Sequence, residues 1–228
     1  MRAAGAAAVR QRAASGGVHR CRLALFDLDG VLVDSRAAME EAWEAVQRDL
    51  GVTVPFAAYF REIGRPFGDI MERLELVEEA AEIERVYRAT ALRTAPRVPA
   101  FPGVEEALAA LAVAGVKLGV VTSKARPQAY WTLSQFEVPF ETIQTPDDRH
   151  PGKPSPWPLL IAVNEARAEI EDAVFIGDMD VDCTAARHAG MRFLHAAWGY
   201  GPRPQGAEQL HHASEIGALA RLDLAAAA

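Results

Sequence analysis

The chain has 228 residues, half of them hydrophobic. That is enough for one large α/β domain or one domain with an insertion, and no apolar stretch is long enough to cross a bilayer. A formal charge of −7, from 24 basic and 31 acidic residues, argues against nucleic acid as the main partner. The two cysteines, Cys21 and Cys183, fit a reducing cytoplasm better than a disulfide framework, so a cytoplasmic location is expected.

Residues 1–20 hold four arginines and no acid. They read as a disordered extension or a misassigned start, with a transit-like peptide as the weaker alternative. Gly5 and Arg10 bound a run of only four apolar residues, too short for a secretory core. Leu23 to Phe26 follows as a short, bounded apolar run of the kind that forms a buried parallel strand. It runs into Asp27 and Asp29. Side chains two apart on a strand share a face, so these carboxylates repel unless a cation lies between them. Gly30 then permits a sharp turn or a close backbone approach. Taken alone, the stretch reads equally well as a strand ending in an Asp-Gly turn.

From Arg36 to about residue 98 the pattern is helical. Met39, Trp43, Val46 and Leu50 form an apolar stripe that Gly51 ends. Helices are expected over residues 55–63, 67–76 and 77–94, with a Gly64-Arg65-Pro66 break and a proline-marked linker at 96–102. From residue 103 to 200 strands and helices alternate. Strands are expected at 117–123, 140–145, 173–178 and 192–197, and helices at 104–114, 127–136, 158–168 and 183–189. Such alternation implies a parallel sheet with helices on both faces, a Rossmann-like core. A βαβ unit takes roughly 30 residues, yet Asp34 and Leu118 are 84 positions apart and residues 104–114 already supply a crossover helix. The stretch 36–98 is therefore surplus and reads as an inserted all-helical domain. The remaining residues, 21–35 and 99–228, form the core.

Ligands of open parallel sheets bind at the carboxyl ends of the strands. Polar groups gather there: Asp27 and Asp29 after the first strand, Thr122 and Ser123 after the second, Asp178 after the fourth. Lys153 stands in the loop after the third, stiffened by Pro151, Pro154, Pro156 and Pro158. The chain holds 21 arginines and only three lysines, Lys117, Lys124 and Lys153, so a lysine marks a place where a compact ammonium is wanted. Lys117 and Lys124 read as surface residues, and the four tryptophans as core or hinge packing. Asp34 reads as a helix cap and Asp180 as a solvent-facing or capping residue.

The motifs Asp27-x-Asp29-Gly30-x-x-x-Asp34, Val-Val-Thr122-Ser123-Lys124, Lys153-Pro154-x-Pro156 and Gly177-Asp178-x-x-x-Asp182 stand in one order. They are followed by Ala-Ala-Arg187-His-Ala-Gly190-Met and Gly199-Tyr-Gly201. In order and spacing, over about residues 22–222, the chain resembles the haloacid dehalogenase superfamily, in its phosphoglycolate phosphatase-like branch. The resemblance implies Asp27 as nucleophile, forming a phosphoaspartyl enzyme, and Asp29 as general acid and then base. It implies Mg²⁺ held by the Asp27 carboxylate, the Asp29 carbonyl and Asp178. Gly30, Thr122, Ser123 and Lys153 are the implied phosphate-binding groups, with Asp182 orienting Lys153 or a metal-bound water. A cap loop in this family faces the active site, so Arg65 is a candidate clamp for a substrate carboxylate or phosphate.

The residues discriminate among related reactions. A dehalogenase would lack the second aspartate, and Asp29 is present. A phosphonatase needs a Schiff-base lysine and a β-phosphoglucomutase a cap histidine and lysine, and residues 35–98 contain neither residue type. A phosphatase for a small phosphorylated metabolite remains, with 2-phosphoglycolate the first choice and sugar phosphates, nucleotides and pyrophosphate behind it. A non-catalytic binding module on the same fold is the alternative of another class. Oligomeric state is not legible.

Overall fold

The computed structural model describes residues 20–146 and 150–221. The expectation for residues 1–20 thus falls, save for Arg20, outside the described residues. Among the described residues, six parallel strands form one sheet in the order β3-β2-β1-β4-β5-β6. They are β1 (Leu23–Phe26), β2 (Lys117–Val121), β3 (Thr142–Gln144), β4 (Ala173–Gly177), β5 (Arg192–Ala196) and β6 (Glu208–Leu210). β1 is fully buried between β2 and β4. Its alternate residues feed two cores. Ala24 and Phe26 face Leu108, Leu111 and Ile216, whereas Leu23 and Leu25 face Leu159, Ala162 and Ala186. This is why the run is apolar throughout rather than alternating.

The helices are α1 (Arg36–Leu50), α2 (Phe56–Arg61), α3 (Phe67–Arg73), α4 (Ala80–Thr94), α5 (Val104–Val113), α6 (Arg126–Leu133), α7 (Trp157–Glu165) and α8 (Asp180–Ala189). The first four lie between β1 and β2 in sequence and build a third hydrophobic cluster of their own. Met39, Trp43 and Val46 of α1 meet Tyr59, Ile70, Ile83 and Val86 there. Trp43 stacks on Tyr59 at 4.3 Å between ring centroids, and its indole N–H donates to the Val54 carbonyl at 2.8 Å. Gly51 closes α1 in the left-handed region at φ 71°, its N–H donating to the Gln47 carbonyl. Met179 and Tyr200, from the sheet side, pack against this cluster, so the helical insert rests on the carboxyl ends of the strands.

Three details differ from the sequence reading. α8 starts at Asp180 rather than Cys183, because the Asp182 carboxylate accepts the Met179 N–H at 3.0 Å and satisfies a donor at the helix start. β6 has no apolar run to announce it, since an edge strand of Glu208-Gln209-Leu210 needs no second buried face. Trp131 and Trp157 are 58% and 49% exposed; they are not core, in contrast to Trp43.

Candidate active site

The register of the sheet assembles the site. Phe26 pairs with Val120 on one side and Ile176 on the other. Asp27, Thr122 and Asp178 therefore leave the sheet side by side, one or two residues beyond those paired positions. Asp27 is 3% exposed, Thr122 6% and Asp178 0%. Gly30 turns the chain at φ +84°, and a Cβ there would run into the Asp178 carboxylate and the Tyr200 ring. Only glycine lets the backbone after Asp29 pass so close to Asp178.

Lys153 reaches in from the proline-rich loop and is 1% exposed. Its Nζ lies 3.0 Å from Asp27 Oδ1 and 2.7 Å from Asp182 Oδ1. Asp27 Oδ1 also accepts the Leu28 N–H at 2.7 Å. Burial works against the ammonium, but Asp182 and Asp27 outweigh it and hold Lys153 above the usual lysine pKa. Burial pushes the Asp27 carboxyl up to about 7; Lys153 opposes this and Asp182 and Asp29 add to it. Asp178 is raised by burial and then by Asp182 and Asp27.

This charge balance tests whether a cation belongs here. Asp27, Asp178 and Asp182 each place a carboxylate oxygen within 4.8 Å of the others, and one buried ammonium does not neutralise three buried carboxylates. Asp178 Oδ2 accepts the Tyr200 N–H at 2.8 Å, while Asp178 Oδ1 is buried with no hydrogen-bond partner among the described residues. Asp182 is already committed to Lys153 and to the Met179 N–H. The residues present fit a divalent metal held between Asp27 and Asp178, with oxygen donors suited to a hard ion.

The remaining sequence candidates lie around the same cavity, which Asp27, Asp29, Arg65, Thr122 and Ser123 all line. Thr122 Oγ1 accepts the Lys124 N–H at 3.1 Å. Ser123 Oγ donates to the Gly64 carbonyl at 2.6 Å, bridging the β2 loop to the helical insert. Arg65 Nε lies 3.4 Å from Glu62 Oε2. Asp34 Oδ1 accepts the Tyr200 O–H at 3.0 Å and the Arg36 N–H at 3.3 Å, at the start of α1.

Sequence reasoning placed Lys124 on the surface. It is instead mostly buried, with Nζ 3.0 Å from Asp29 Oδ1. The scarcity of lysine was the signal that marked it. Lys117 is likewise engaged, its Nζ donating to the Ala166 carbonyl at 2.6 Å. Tyr59 and Tyr87 were also missed. Their ring centroids lie 5.3 Å apart, and both line the cavity. Nothing local marks such a pair, since it arises from packing α2 against α4.

The haloacid dehalogenase-like hydrolases match this chain over residues 24–196. A phosphoglycolate phosphatase of Cupriavidus necator is 33% identical over 204 residues, covering 83% of this chain and 88% of its own. A phosphoglycolate phosphatase of Aquifex aeolicus is 31% identical, covering 78% of this chain and 86% of its own. Among solved structures, CbbY from Rhodobacter sphaeroides in complex with phosphate superposes with a TM-score of 0.76 at 22% identity. That likeness covers 89% of this chain and all of CbbY. With its motifs matched across three quarters of its length and their side chains converging at one end of a parallel sheet, this chain belongs to the haloacid dehalogenase-like hydrolase family.

Proposed function

We propose that this protein is a Mg²⁺-dependent phosphatase that hydrolyses a small phosphomonoester through a phosphoaspartyl intermediate. The observation that carries this reading is Asp27. Its Oδ1 takes both the Leu28 N–H and Lys153 Nζ, which leaves Oδ2 to attack. It is held at the floor of a cavity with a second carboxyl, Asp29, beside it.

Asp27 Oδ2 forms a bond to phosphorus as the ester P–O bond breaks, and Asp29 gives a proton to the departing alcohol oxygen. Asp29 then takes a proton from water, whose oxygen attacks phosphorus and releases inorganic phosphate and the Asp27 carboxylate. Thr122 and the Ser123 backbone bind the phosphoryl oxygens, with Gly30 allowing their close approach. Lys153 offsets charge on Asp27 and phosphate, and Asp182 fixes Lys153. Asp27, Asp178 and the Asp29 carbonyl are the groups to hold Mg²⁺. When bound, the ion supplies the positive charge that allows a dianionic phosphate to approach buried carboxylates.

The helices of residues 36–98 act as a cap over the core of residues 21–35 and 99–221, and Arg65 at the cap loop faces the bound substrate. Two free, buried cysteines accord with action in the cytoplasm. The test is phosphate release from an ester panel with Mg²⁺, together with trapping of labelled phosphate on Asp27. Release that Asp27→Asn abolishes is expected. No release and no label across the panel would turn the assignment to a binding module.

A further inference from the structure

Asp27 and Asp29 each face an ammonium, but the two pairs are built differently. Lys153 lies between Asp27 and Asp182 and is closed off from solvent. Lys124 Nζ lies 3.0 Å from Asp29 Oδ1, the two side chains being 13% and 14% exposed. Lys124 and Asp29 both line the cavity. Exposed ion pairs contribute little, and this pair is not exposed.

The loop that carries Lys124 is fixed at three points. The Thr122 N–H donates to the Gln144 carbonyl at 3.0 Å, the Lys124 N–H to Thr122 Oγ1 at 3.1 Å, and Ser123 Oγ to the Gly64 carbonyl at 2.6 Å. β1 and β2 pair in parallel, with Phe26 beside Val120, so this loop and the turn bearing Asp29 leave the sheet as neighbours. Asp29 Oδ1 is buried and has no hydrogen-bond partner among the described residues, so the charge it faces is that of Lys124. The part of the Asp29 side chain that stays open is therefore not Oδ1 but the side that bears Oδ2. An ammonium only donates. A proton on Oδ1 would point at those donors, so the proton of an acid held in this way sits on Oδ2. A carboxyl free to swing would present the wrong oxygen for part of the time, and misplacement by about 1 Å can cost about 100-fold in rate.

We propose that Lys124 is a positioning residue for Asp29: it holds Oδ1 and so keeps the acid's proton on Oδ2, toward the ester oxygen. This rests on phosphomonoester hydrolysis at Asp27 with Asp29 as the acid. In that step Asp27 Oδ2 bonds to phosphorus, the ester P–O bond breaks, and the proton on Asp29 Oδ2 passes to the departing oxygen. Lys124 touches none of the reacting atoms, and its effect passes through Asp29.

The test uses two esters of similar shape that differ in their need for a proton. Benzyl phosphate releases an alkoxide that must be protonated as it leaves, whereas 4-nitrophenyl phosphate releases a phenolate that leaves without one. With Mg²⁺ and the full chain, kcat/KM reports the steps up to phosphoryl transfer to Asp27, so the later hydrolysis does not enter. Lys124→Met should lower kcat/KM for benzyl phosphate about tenfold or more relative to 4-nitrophenyl phosphate, a part of the roughly 10²–10⁴-fold that a positioned acid contributes. Both esters are read on one preparation, so a smaller folded fraction cancels in the ratio. In Asp29→Asn the ratio should already be low, and adding Lys124→Met should lower it by less than about twofold, as expected of residues that act as a unit. An unchanged ratio in Lys124→Met overturns the proposal and leaves the phosphatase reading standing. So does an equal fall in the Asp29→Asn background, which would mean that Lys124 acts on its own. A variant slowed only with 2-phosphoglycolate also overturns it and makes Lys124 a contact for a substrate carboxylate. No phosphate from any of the three esters, and no label on Asp27, removes the phosphatase reading and the proposal together.

Discussion

Tyr200 donates its backbone N–H to Asp178 Oδ2 at 2.8 Å while its phenol oxygen accepts the Ser35 N–H at 2.7 Å. The same phenol accepts the Arg36 N–H at 3.1 Å and donates to Asp34 Oδ1. One residue thus ties the carboxylate with the unpartnered buried oxygen to the first turn of the helical insert. Gly199, just before it, lies so close that a Cβ there would overlap the Asp178 side chain. Gly199→Ala must push Asp178 aside. Supporting changes of this kind typically cost 10–100-fold in metal affinity, so Mg²⁺ affinity by calorimetric titration should fall about tenfold or more, with the circular dichroism spectrum retained. Unchanged affinity would mean that Asp178 is not a ligand.

Tyr200→Phe keeps the backbone bond and removes the hydroxyl. The Ser35 N–H at the start of α1 then loses its partner, while the Arg36 N–H and the Asp34 carboxylate keep their bond to each other. Unmet buried donors cost about 1–3 kcal/mol, and each kcal/mol lowers Tm by roughly 2–4 °C in a chain of this size. A fall of a few degrees in a thermal melt is expected. A melt indistinguishable from wild type would show that water replaces the phenol without loss.

Lys153→Met tests the buried charge network. It leaves Asp27 and Asp182 buried without their shared ammonium. Removing one partner of a buried pair costs about 3–5 kcal/mol, so the denaturation midpoint should drop sharply and phosphate release should vanish. Lys153→Arg should not restore activity. A planar fork cannot occupy the space of a 1% exposed ammonium between two carboxylates. Recovery in that variant would show that charge alone matters at this position.

Asp27, Asp29, Thr122 and Asp178 were legible in the sequence for a physical reason. Each ends an apolar run, and parallel strands in register deliver their next residues to one edge. Lys153 was legible because prolines bracket a rare residue. The contacts that cross between insert and core were not. Lys124 on Asp29 depends on the path of the loop after β2, and Tyr59 on Tyr87 depends on how two helices separated by a third come together. The partner of Arg65 is local, three residues back at Glu62, yet the choice between that carboxylate and a substrate is a matter of burial that spacing does not express. β6 carries only Leu210 as an apolar residue; its strand character comes from pairing with β5 rather than from its own pattern.

The pH dependence of metal binding follows from Asp27. Burial, opposed by Lys153 and reinforced by Asp182 and Asp29, moves its pKa from 3.8 to about 7 in the metal-free protein. The folded carboxyl therefore holds its proton to higher pH than the unfolded one. Its contribution to stability is fully present below about pH 4 and is lost as pH rises to about 7, so the metal-free protein should weaken over that window. Mg²⁺ requires the ionised form and must displace the proton below about pH 7, and burial raises Asp178 as well, so the apparent affinity should rise with pH through that window. Melts in EDTA and in excess Mg²⁺, taken at several pH values on either side of 7, should show a gap in Tm that widens as pH rises. Asp27→Asn cannot titrate, and its EDTA melts should lose the part of the pH slope that Asp27 contributes and keep the part due to Asp178. A gap of constant size from acid to alkaline pH would mean that Asp27 is not the group the metal must deprotonate.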